Sequence, residues 1–282
     1  MFEDIQSVLS DNYPGVNKSI FMRELYMFLG VDIDKEQIVD SRMEAKIANF
    51  KKLVIQGVPF EYISGVAHFY GRDFVVGPNV LIPRQETEII VECIVNMRRN
   101  LSESLDVLDM CTGSGCIGLS IACELGSQVS KLVLSDIAVE ATNYSMINKE
   151  KFSYQIASNT EIFIQLSDLF RNIQGDYDLI ISNPPYIKAR GHLKNVHDQV
   201  QKFEPPSALF IDDEKYEDFF NKLFLGVVAH LRKGGIFIME GHEDELSTLV
   251  ENFKHANSSK FTFEVLKDLT GRDRFIKATK GA

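Results

Sequence analysis

The sequence of 282 residues predicts an α/β protein, a doubly wound and mostly parallel sheet preceded by a small helical domain. Three observations support this fold class. From residue 105 onward, short apolar runs alternate with stretches of helical spacing, which is the pattern of βαβ units. A glycine-rich turn joins the first of these runs to a helix. Before Pro59, the apolar residues recur at helical spacing alone.

Residues 1–58 are predicted to form a helical domain, and their apolar stripes are expected to be its core. Residues 59–84 follow as a β-hairpin connector, because β-type runs at 68–70, 74–76 and 80–82 are separated by turn sequences at 71–73 and 77–79. Two sets of apolar residues mark the helical faces, with a break at Gly30, Asp32 and Asp34 between them: Phe21, Leu25 and Phe28, then Ile47, Phe50, Leu53 and Val54.

Residues 85–282 are predicted to form the α/β domain, which opens with a helix over 87–100. The final pair of strands is joined by so short a connection that it should be an antiparallel hairpin, which gives the sheet an antiparallel C-terminal strand. The predicted strands cover 105–110, 132–134, 162–166, a fourth run ending at Asn183, 236–239 after a Gly234-Gly235 turn, 261–266 and 274–278. The predicted helices cover 117–124, 216–231 and 246–255.

Composition indicates an ordinary globular protein, with 45% hydrophobic and 25% charged residues. No apolar run reaches the length of a membrane span, and the acidic start at Met1-Phe2-Glu3-Asp4 lacks a leader pattern, so we expect a cytoplasmic protein with no membrane partner. The net charge of −10 argues against stable nucleic-acid binding and suits a basic protein partner.

Neither the four cysteines nor the six histidines predict a metal site. The cysteines, at positions 93, 111, 116 and 123, form no C-x-x-C pair, so reduced thiols near a core are expected. The histidines are scattered along the chain, and none pairs with a carboxylate at a spacing typical of metal ligands.

The stretch from Asn183 to Tyr186 has the chemistry of an acceptor site. Two successive prolines, Pro184 and Pro185, end a buried strand and hold Asn183 extended at its carboxyl end, where ligands sit in parallel sheets. The Asn183 side-chain oxygen and the Pro184 carbonyl could accept hydrogen bonds from one planar NH2 group, and the Tyr186 ring offers a face for stacking. This stretch predicts a site that grips an amide or a base amino group.

A glycine loop and an acidic residue predict a nucleotide-type cofactor. Gly113, Gly115 and Gly118 fit G-x-G-x-x-G between a strand and a helix, and Asp136 ends the next strand. This pattern serves NAD in dehydrogenases, and the same loop geometry serves S-adenosylmethionine. A dehydrogenase needs a proton-handling group beside the hydride acceptor, whereas a methyltransferase needs only alignment of a nitrogen with the methyl group. The stretch that begins at Asn183 supplies that alignment, so methyl transfer is favoured.

Nearly the whole chain resembles the release factor glutamine methyltransferase family, a branch of the class I S-adenosylmethionine enzymes. The resemblance is carried by the glycine loop, by Asn-Pro-Pro-Tyr and by six further segments: PFEYISG at 59–65, FYG at 69–71, LIPRQETE at 81–88, SDLF at 167–170, EPPSAL at 204–209 and DLTGRDR at 268–274. It implies a class I methyltransferase sheet, S-adenosylmethionine as cofactor, substrate recognition by residues 1–58 and a peptide-chain release factor as partner.

The resemblance also implies roles for individual residues. The acceptor glutamine would lie against Asn183, Pro184, Pro185 and Tyr186. The cofactor would contact Asn183 and the residues of the loop and strand ends: Cys111, Thr112, Gly113, Ser114, Gly115, Asp136, Asp168 and Leu169. Asp168 could instead cap a short helix, and the basic loop from Lys188 to His197 could contact substrate or be a solvated charged loop.

Two residues depart from the family pattern. Cys111 stands where the family usually has the first loop glycine, and Gln85 replaces a proline. Three other functions remain open at this point: an adenine-N6 methyltransferase acting on DNA or RNA, an NAD-dependent oxidoreductase, and an inactive cofactor-binding protein.

Overall fold

The computed structural model describes residue 13 and residues 16–30, 41–98, 104–257 and 261–281. Helices α1 (Lys18–Leu29), α2 (Ser41–Ile55) and α3 (Phe60–Ser64) pack Phe21, Phe50 and Phe60 into one apolar cluster. Helix α1 begins where the Asn17 side chain accepts hydrogen bonds from two backbone N–H groups, and it ends at Gly30 in the left-handed region. The predicted helical faces are therefore confirmed, whereas Asp32 and Asp34 lie outside the described residues.

The predicted hairpin is formed by β1 (Val66–Phe69) and β2 (Arg72–Val75). Two details of the connector were wrong. Its first residues form α3, whose Phe60 belongs to the helical cluster, and residues 80–82, predicted as a third strand, form an irregular segment. There the backbone bonds to side chains instead, since the Ile82 N–H donates to Glu204 and the Val80 carbonyl accepts from the Tyr62 hydroxyl. The boundaries after residues 58 and 84 stay predictions.

The remaining elements alternate as expected of an α/β protein. Helix α4 begins this part of the chain, and the carboxyl ends of β3, β4, β5, β6 and β9 meet at one edge of the sheet. The elements are α4 (Glu88–Arg98), β3 (Leu105–Met110), α5 (Cys116–Leu125), β4 (Val129–Asp136), α6 (Val139–Lys151), β5 (Glu161–Leu166), β6 (Tyr177–Ser182), β7 (Ile187–Lys188), α7 (Asp198–Phe203), α8 (Pro206–Leu209), β8 (Phe210–Ile211), α9 (Tyr216–His230), β9 (Leu231–Glu240), α10 (Leu246–Asn257), β10 (Phe261–Lys267) and β11 (Asp273–Lys280).

A sheet of seven strands forms the centre of the protein, in the order β10-β11-β9-β6-β3-β4-β5. The five strands from β9 to β5 are parallel, and β11 runs antiparallel between β9 and β10. Helices α4 and α5 pack on one face of the sheet through Ile90, Ile94 and Leu119, and α9 and α10 pack on the other through Phe220 and Phe253. The predicted doubly wound, mostly parallel class I methyltransferase fold is confirmed.

Two local expectations for this part of the chain need correction. Strand β9 begins at Leu231, so Gly234 and Gly235 lie inside a strand and do not form a turn before it. Position 235 requires glycine, because the Cβ of any other residue would lie 2.8 Å from the Arg232 carbonyl oxygen. Helix α6 was missed, since its buried positions are small or polar residues such as Ala141, Ser145 and Asn148, which give little apolar periodicity.

The turn after β5 is held against the back of α9. The 3₁₀ turn Leu169–Asn172 places the Phe170 ring directly over Gly226, where a Cβ would lie 2.0 Å from Phe170 Cδ2. The same ring stacks on His230 with centroids 5.2 Å apart.

Among the helices of the described residues, none is both long and apolar enough to cross a membrane.

Candidate active site

A cavity of about 480 Å³ opens at the carboxyl edge of the parallel strands. Most of the predicted site residues line it, which brings together side chains and loops from the ends of β3, β4, β5 and β6: Cys111, Thr112, Gly113, Ser114, Asp136, Asp168, Leu169, Asn183 and Pro185. Gly115, Pro184 and Tyr186 lie outside this lining. Gly115 occupies the N-cap of α5, Pro184 is buried, and the Tyr186 ring packs into the adjoining apolar core.

One side of the cavity, here called the cofactor wall, consists of residues 111–115 with Asp136, Asp168 and Leu169. Three loop residues have positive φ: Cys111 at 59°, Gly113 at 57° and Gly115 at 82°. Glycine adopts this region freely, so Cys111 is the strained member of the loop. The loop therefore needs a left-handed residue at position 111, where the family pattern has glycine.

Asp136 fastens the loop to the end of β4. Its Oδ2 accepts the Gly113 N–H at 2.9 Å, and its Oδ1 accepts the Ala138 N–H at 3.0 Å. Burial raises the pKa of the Asp136 carboxyl, and these backbone hydrogen bonds oppose the rise. Each oxygen keeps a second lone pair, so the carboxylate can still accept hydrogen bonds from a ligand's hydroxyl groups.

A second carboxyl, Asp109 on β3, supports the loop from below. Its Oδ2 accepts hydrogen bonds from the Thr112 hydroxyl at 2.7 Å and the Gly118 N–H at 2.9 Å. Burial raises the pKa of Asp109 to about 7, and the two hydrogen bonds limit that rise. A Cβ on Gly118 would meet Asp109 at 3.0 Å, which explains why this position is glycine. The role of Asp109 was not predicted, because its only signal in the sequence is a carboxylate inside an apolar strand run.

Asp168 does not act as a helix cap. It occupies the N-cap position of the 3₁₀ turn, yet its side chain makes no capping hydrogen bond. The Ser167 hydroxyl oxygen accepts the N–H of Asn172, the last residue of the turn, at 3.0 Å. The exposed Asp168 carboxylate lines the cavity together with Leu169, so it is available to a ligand.

A second group of residues, here called the acceptor wall, consists of Thr87 and Asn183, which line the cavity, and of Tyr186 and Glu240, which lie outside the lining and are hydrogen-bonded to each other. Asn183 Nδ2 donates to Thr87 Oγ1 at 3.2 Å, and the Thr87 hydroxyl donates to Glu240 Oε2 at 2.6 Å. The Tyr186 hydroxyl donates to Glu240 Oε1 at 2.9 Å. No individual role was predicted for Thr87 or Glu240. The available signal was an acidic residue ending β9, on the same edge as Asn183.

A buried ion pair joins two segments around the cavity. Glu204 accepts hydrogen bonds from the Arg84 guanidinium and the Ile82 N–H, and only 1% of the Glu204 side chain is exposed. Arg84, Pro205 and Ser207 all line the cavity. The contact holds residues 82–84 against residues 204–207. Breaking it is unfavourable, because loss of one partner would leave a buried charge unpaired.

The basic loop at residues 188–197 is only partly a solvated surface. Lys188 Nζ lies 2.6 Å from Glu245 Oε1, and the His192 ring stacks on His242 with centroids 3.9 Å apart. Arg190 does pair with Glu214 at the exposed surface. The solvated interpretation is therefore wrong for Lys188 and His192, which tie the loop to the segment after β9.

The stacked histidines also bear on the metal prediction. Ligand atoms of His192, His242 and Asp244 lie within 4.8 Å of one another. However, the Nδ1 atoms of His192 and His242 accept backbone N–H groups, from Lys188 at 3.4 Å and Asp244 at 3.3 Å. These contacts use one ring nitrogen of each histidine, and the prediction of no metal site stays a prediction.

The cofactor wall suits S-adenosylmethionine. Gly113 lines the cavity with backbone alone, and a Cβ added there would make an ordinary contact with Val80 Cγ2 at 3.9 Å. Asp136 and Asp168 offer carboxylate acceptors for hydroxyl and amino groups, and Ile137 and Leu169 offer apolar surface for a planar ring. These are the groups that a nucleoside with a charged tail requires.

Residues 85–203 match the family model described as Methyltransferase small domain. The release factor glutamine methyltransferase of Bacteroides thetaiotaomicron is 31% identical over 98% of this chain and 98% of its own length. That of Koribacter versatilis is 34% identical over 79% of this chain and 75% of its own. A methyltransferase structure from Pyrococcus furiosus shares the fold, with TM-score 0.50 and 17% identity over 86% of this chain and all of that one. The resemblance predicted from the sequence is thus confirmed, and this chain belongs to the release factor glutamine methyltransferase family.

Proposed function

We propose that this protein transfers a methyl group from S-adenosylmethionine to the side-chain amide nitrogen (N5) of a glutamine in a peptide-chain release factor. One observation carries the proposal: Asn183, a residue suited to hold an NH2 group, lines the same cavity as the glycine loop and Asp136. The relatives named above supply the substrate class.

The cofactor wall binds and orients the methyl donor in this proposal. When bound, S-adenosylmethionine supplies an electrophilic methyl group on a sulfonium. Asp136 accepts hydrogen bonds from the ribose hydroxyls, and Asp168 and Leu169 flank the adenine. Backbone groups at Cys111, Thr112, Gly113, Ser114 and Gly115 shape the floor beneath the rest of the molecule, as the positive φ angles in this loop allow.

The acceptor wall orients the glutamine. Asn183 Oδ1 and the Pro184 carbonyl accept hydrogen bonds from the two N–H groups of the substrate amide. Pro185 lines the cavity beside them, and Tyr186 supports this wall through its hydrogen bond to Glu240. An amide nitrogen is a poor nucleophile because its lone pair is delocalised. Acceptors placed off the amide plane favour a pyramidal nitrogen, an interaction that strengthens in the transition state. Alignment supplies the catalysis, and no general base need act before the methyl group moves.

A protein substrate is favoured over a nucleic acid. An enzyme acting on a DNA base must unstack it and neutralise phosphates, whereas this chain has a net charge of −10. The helices α1, α2 and α3 pack as one apolar cluster apart from the sheet, which suits a platform for docking a folded partner. We assign substrate recognition to residues 1–58 on this basis.

The test is a methylation assay with a purified release factor, isotopically labelled S-adenosylmethionine and the full chain. Mass spectrometry of the factor should place one methyl group on an exposed glutamine side chain. Oligonucleotides containing adenine serve as the alternative acceptor. Labelled adenine with an unmodified release factor would overturn the proposal in favour of an adenine-N6 methyltransferase.

A further inference from the structure

Thr87 and Glu240 form a buried chain of hydrogen bonds that ends at Asn183. Thr87 is 1% exposed and Glu240 is 2% exposed, so water cannot readily replace either partner. The chain runs from Asn183 Nδ2 to Thr87 Oγ1 at 3.2 Å and from the Thr87 hydroxyl to Glu240 Oε2 at 2.6 Å. The short second bond is that expected of a hydroxyl donating to a carboxylate.

A hydroxyl has one proton, so this chain has a direction. The Thr87 proton is committed to Glu240, and toward Asn183 the Thr87 oxygen can therefore only accept. The other carboxylate oxygen, Oε1, accepts the Tyr186 hydroxyl at 2.9 Å. Burial raises the pKa of Glu240, and the hydrogen bonds from Thr87 and Tyr186 oppose that rise. In the ionised form that accepts both hydrogen bonds, Glu240 has no proton to send back toward Thr87.

The direction of the chain decides which way the Asn183 amide faces. Its nitrogen must point to Thr87, which leaves Oδ1 as the atom available to a ligand in the cavity. With the amide reversed, an NH2 group would face the substrate's NH2 group, and two donors cannot bond to each other. Asparagine alone has no preference between these two orientations, so something outside the residue must impose one.

We propose that Glu240 is a positioning residue that acts through the Thr87 hydroxyl to hold the Asn183 side chain with Oδ1 toward the acceptor nitrogen. The inference rests on the proposed function and deepens it, because it identifies what makes this site select an acceptor carrying an NH2 group. Neither Thr87 nor Glu240 needs to touch the substrate or the cofactor.

The test compares four variants with the wild-type enzyme in the release-factor assay. Thr87→Val keeps the side-chain shape and removes the hydroxyl, while Thr87→Ser keeps the hydroxyl and is the matched control. Glu240→Gln keeps the shape and gives position 240 a donor that can reverse the chain. The double variant Thr87→Val with Glu240→Gln tests whether the two residues act as one unit. Cofactor affinity by calorimetry and thermal unfolding are measured for each protein.

We expect kcat to fall roughly tenfold in Thr87→Val and in Glu240→Gln, with cofactor affinity unchanged and Thr87→Ser within about threefold of wild type. The double variant should be no slower than the slower single variant. If Thr87→Val does not fold, the Glu240→Gln comparison decides alone.

Three results would overturn the inference: wild-type kcat in Glu240→Gln, equal losses in Thr87→Ser and Thr87→Val, or additive losses in the double variant. An inactive wild-type enzyme would instead refute the proposed function itself, so the two failures are distinguishable.

Discussion

The two walls of the cavity are built in different ways. The loop of the cofactor wall is held by contacts between residues close in sequence, with Gly113 only 23 residues from Asp136 and Thr112 only three from Asp109. The acceptor wall is held by side chains far apart, since Thr87 bonds to Asn183 across 96 residues and to Glu240 across 153. The loop of the cofactor wall therefore depends on contacts within one βαβ unit, whereas the acceptor wall depends on contacts between distant parts of the chain.

The largest effect should come from breaking the acceptor wall at Asn183. Asn183→Ala should lower kcat for methyl transfer about a hundredfold or more, because an aligning acceptor is lost. Cofactor affinity should stay within a few-fold, since the cofactor wall is intact. Asn159→Ala, an exposed asparagine, is the control. Turnover within a few-fold of wild type would show that Asn183 does not align the acceptor.

Breaking the cofactor wall should have the opposite signature. Asp136→Ala removes the acceptor proposed for the ribose hydroxyls and also frees the Gly113 and Ala138 N–H groups. Calorimetry should show S-adenosylmethionine binding weakened by about 1–3 kcal/mol, which is roughly 5- to 150-fold in Kd. Glu140→Ala, an exposed carboxylate on α6, is the control. Unchanged affinity, or tight NADH binding by the wild type, would contradict the assignment of this wall.

A third measurement concerns the pH dependence of folding beneath the cofactor wall. The pKa of Asp109 is raised to about 7 by burial, so between about pH 4 and 7 the folded protein holds a proton that the unfolded chain has released. The contribution of this proton to the free energy of unfolding is fully present below pH 4 and is lost as pH rises through 7. The loss is at most about 1.4 kcal/mol per pH unit. Denaturant unfolding of Asp109→Asn should therefore show a flatter fall in stability across this range. An identical slope in both proteins would mean that Asp109 is ionised throughout.

The smallest expected effect tests the backbone of the glycine loop. Cys111 has φ of 59°, which penalises any Cβ. Cys111→Ala and Cys111→Gly both remove the thiol, and only the second removes the Cβ. Glycine should therefore be the more stable of the two by about 1 kcal/mol in denaturant unfolding, the reverse of the usual order in ordinary backbone. If alanine is equally stable, the loop relaxes without strain.

The same contrast explains what could be predicted from the sequence. The glycine loop and Asp136 could be predicted because they are local: a strand, a glycine turn and an acid ending the next strand lie within one βαβ unit. The fold class followed from the same alternation of elements. Helix α6 escaped because its buried positions are small or polar, and the end of the hairpin was misread because Ile82 bonds to a side chain 122 residues away.

In the acceptor wall, Asn183 could be predicted because two prolines mark its place. Thr87 and Glu240 could not be assigned, because their role exists only once β9 places Glu240 against the start of α4. Lys188 and His192 were misread for the same reason, since Glu245 and His242 come from the distant segment after β9. A loop of charged residues is predicted to be solvated when the partners of those residues lie far away in the sequence.

The contact between Gly226 and Phe170 has a genetic consequence. Any side chain at position 226 must push the Phe170 ring aside, because even a Cβ would lie 2.0 Å from it. Phe170 directly follows Leu169, which lines the cavity. A missense allele at codon 226 would therefore be recovered in a loss-of-function screen although the residue lies outside the cavity. The expected cause of the lost function is weaker binding of the methyl donor. Second-site suppressors of this allele should appear at codon 170, as replacements of phenylalanine by a smaller apolar residue.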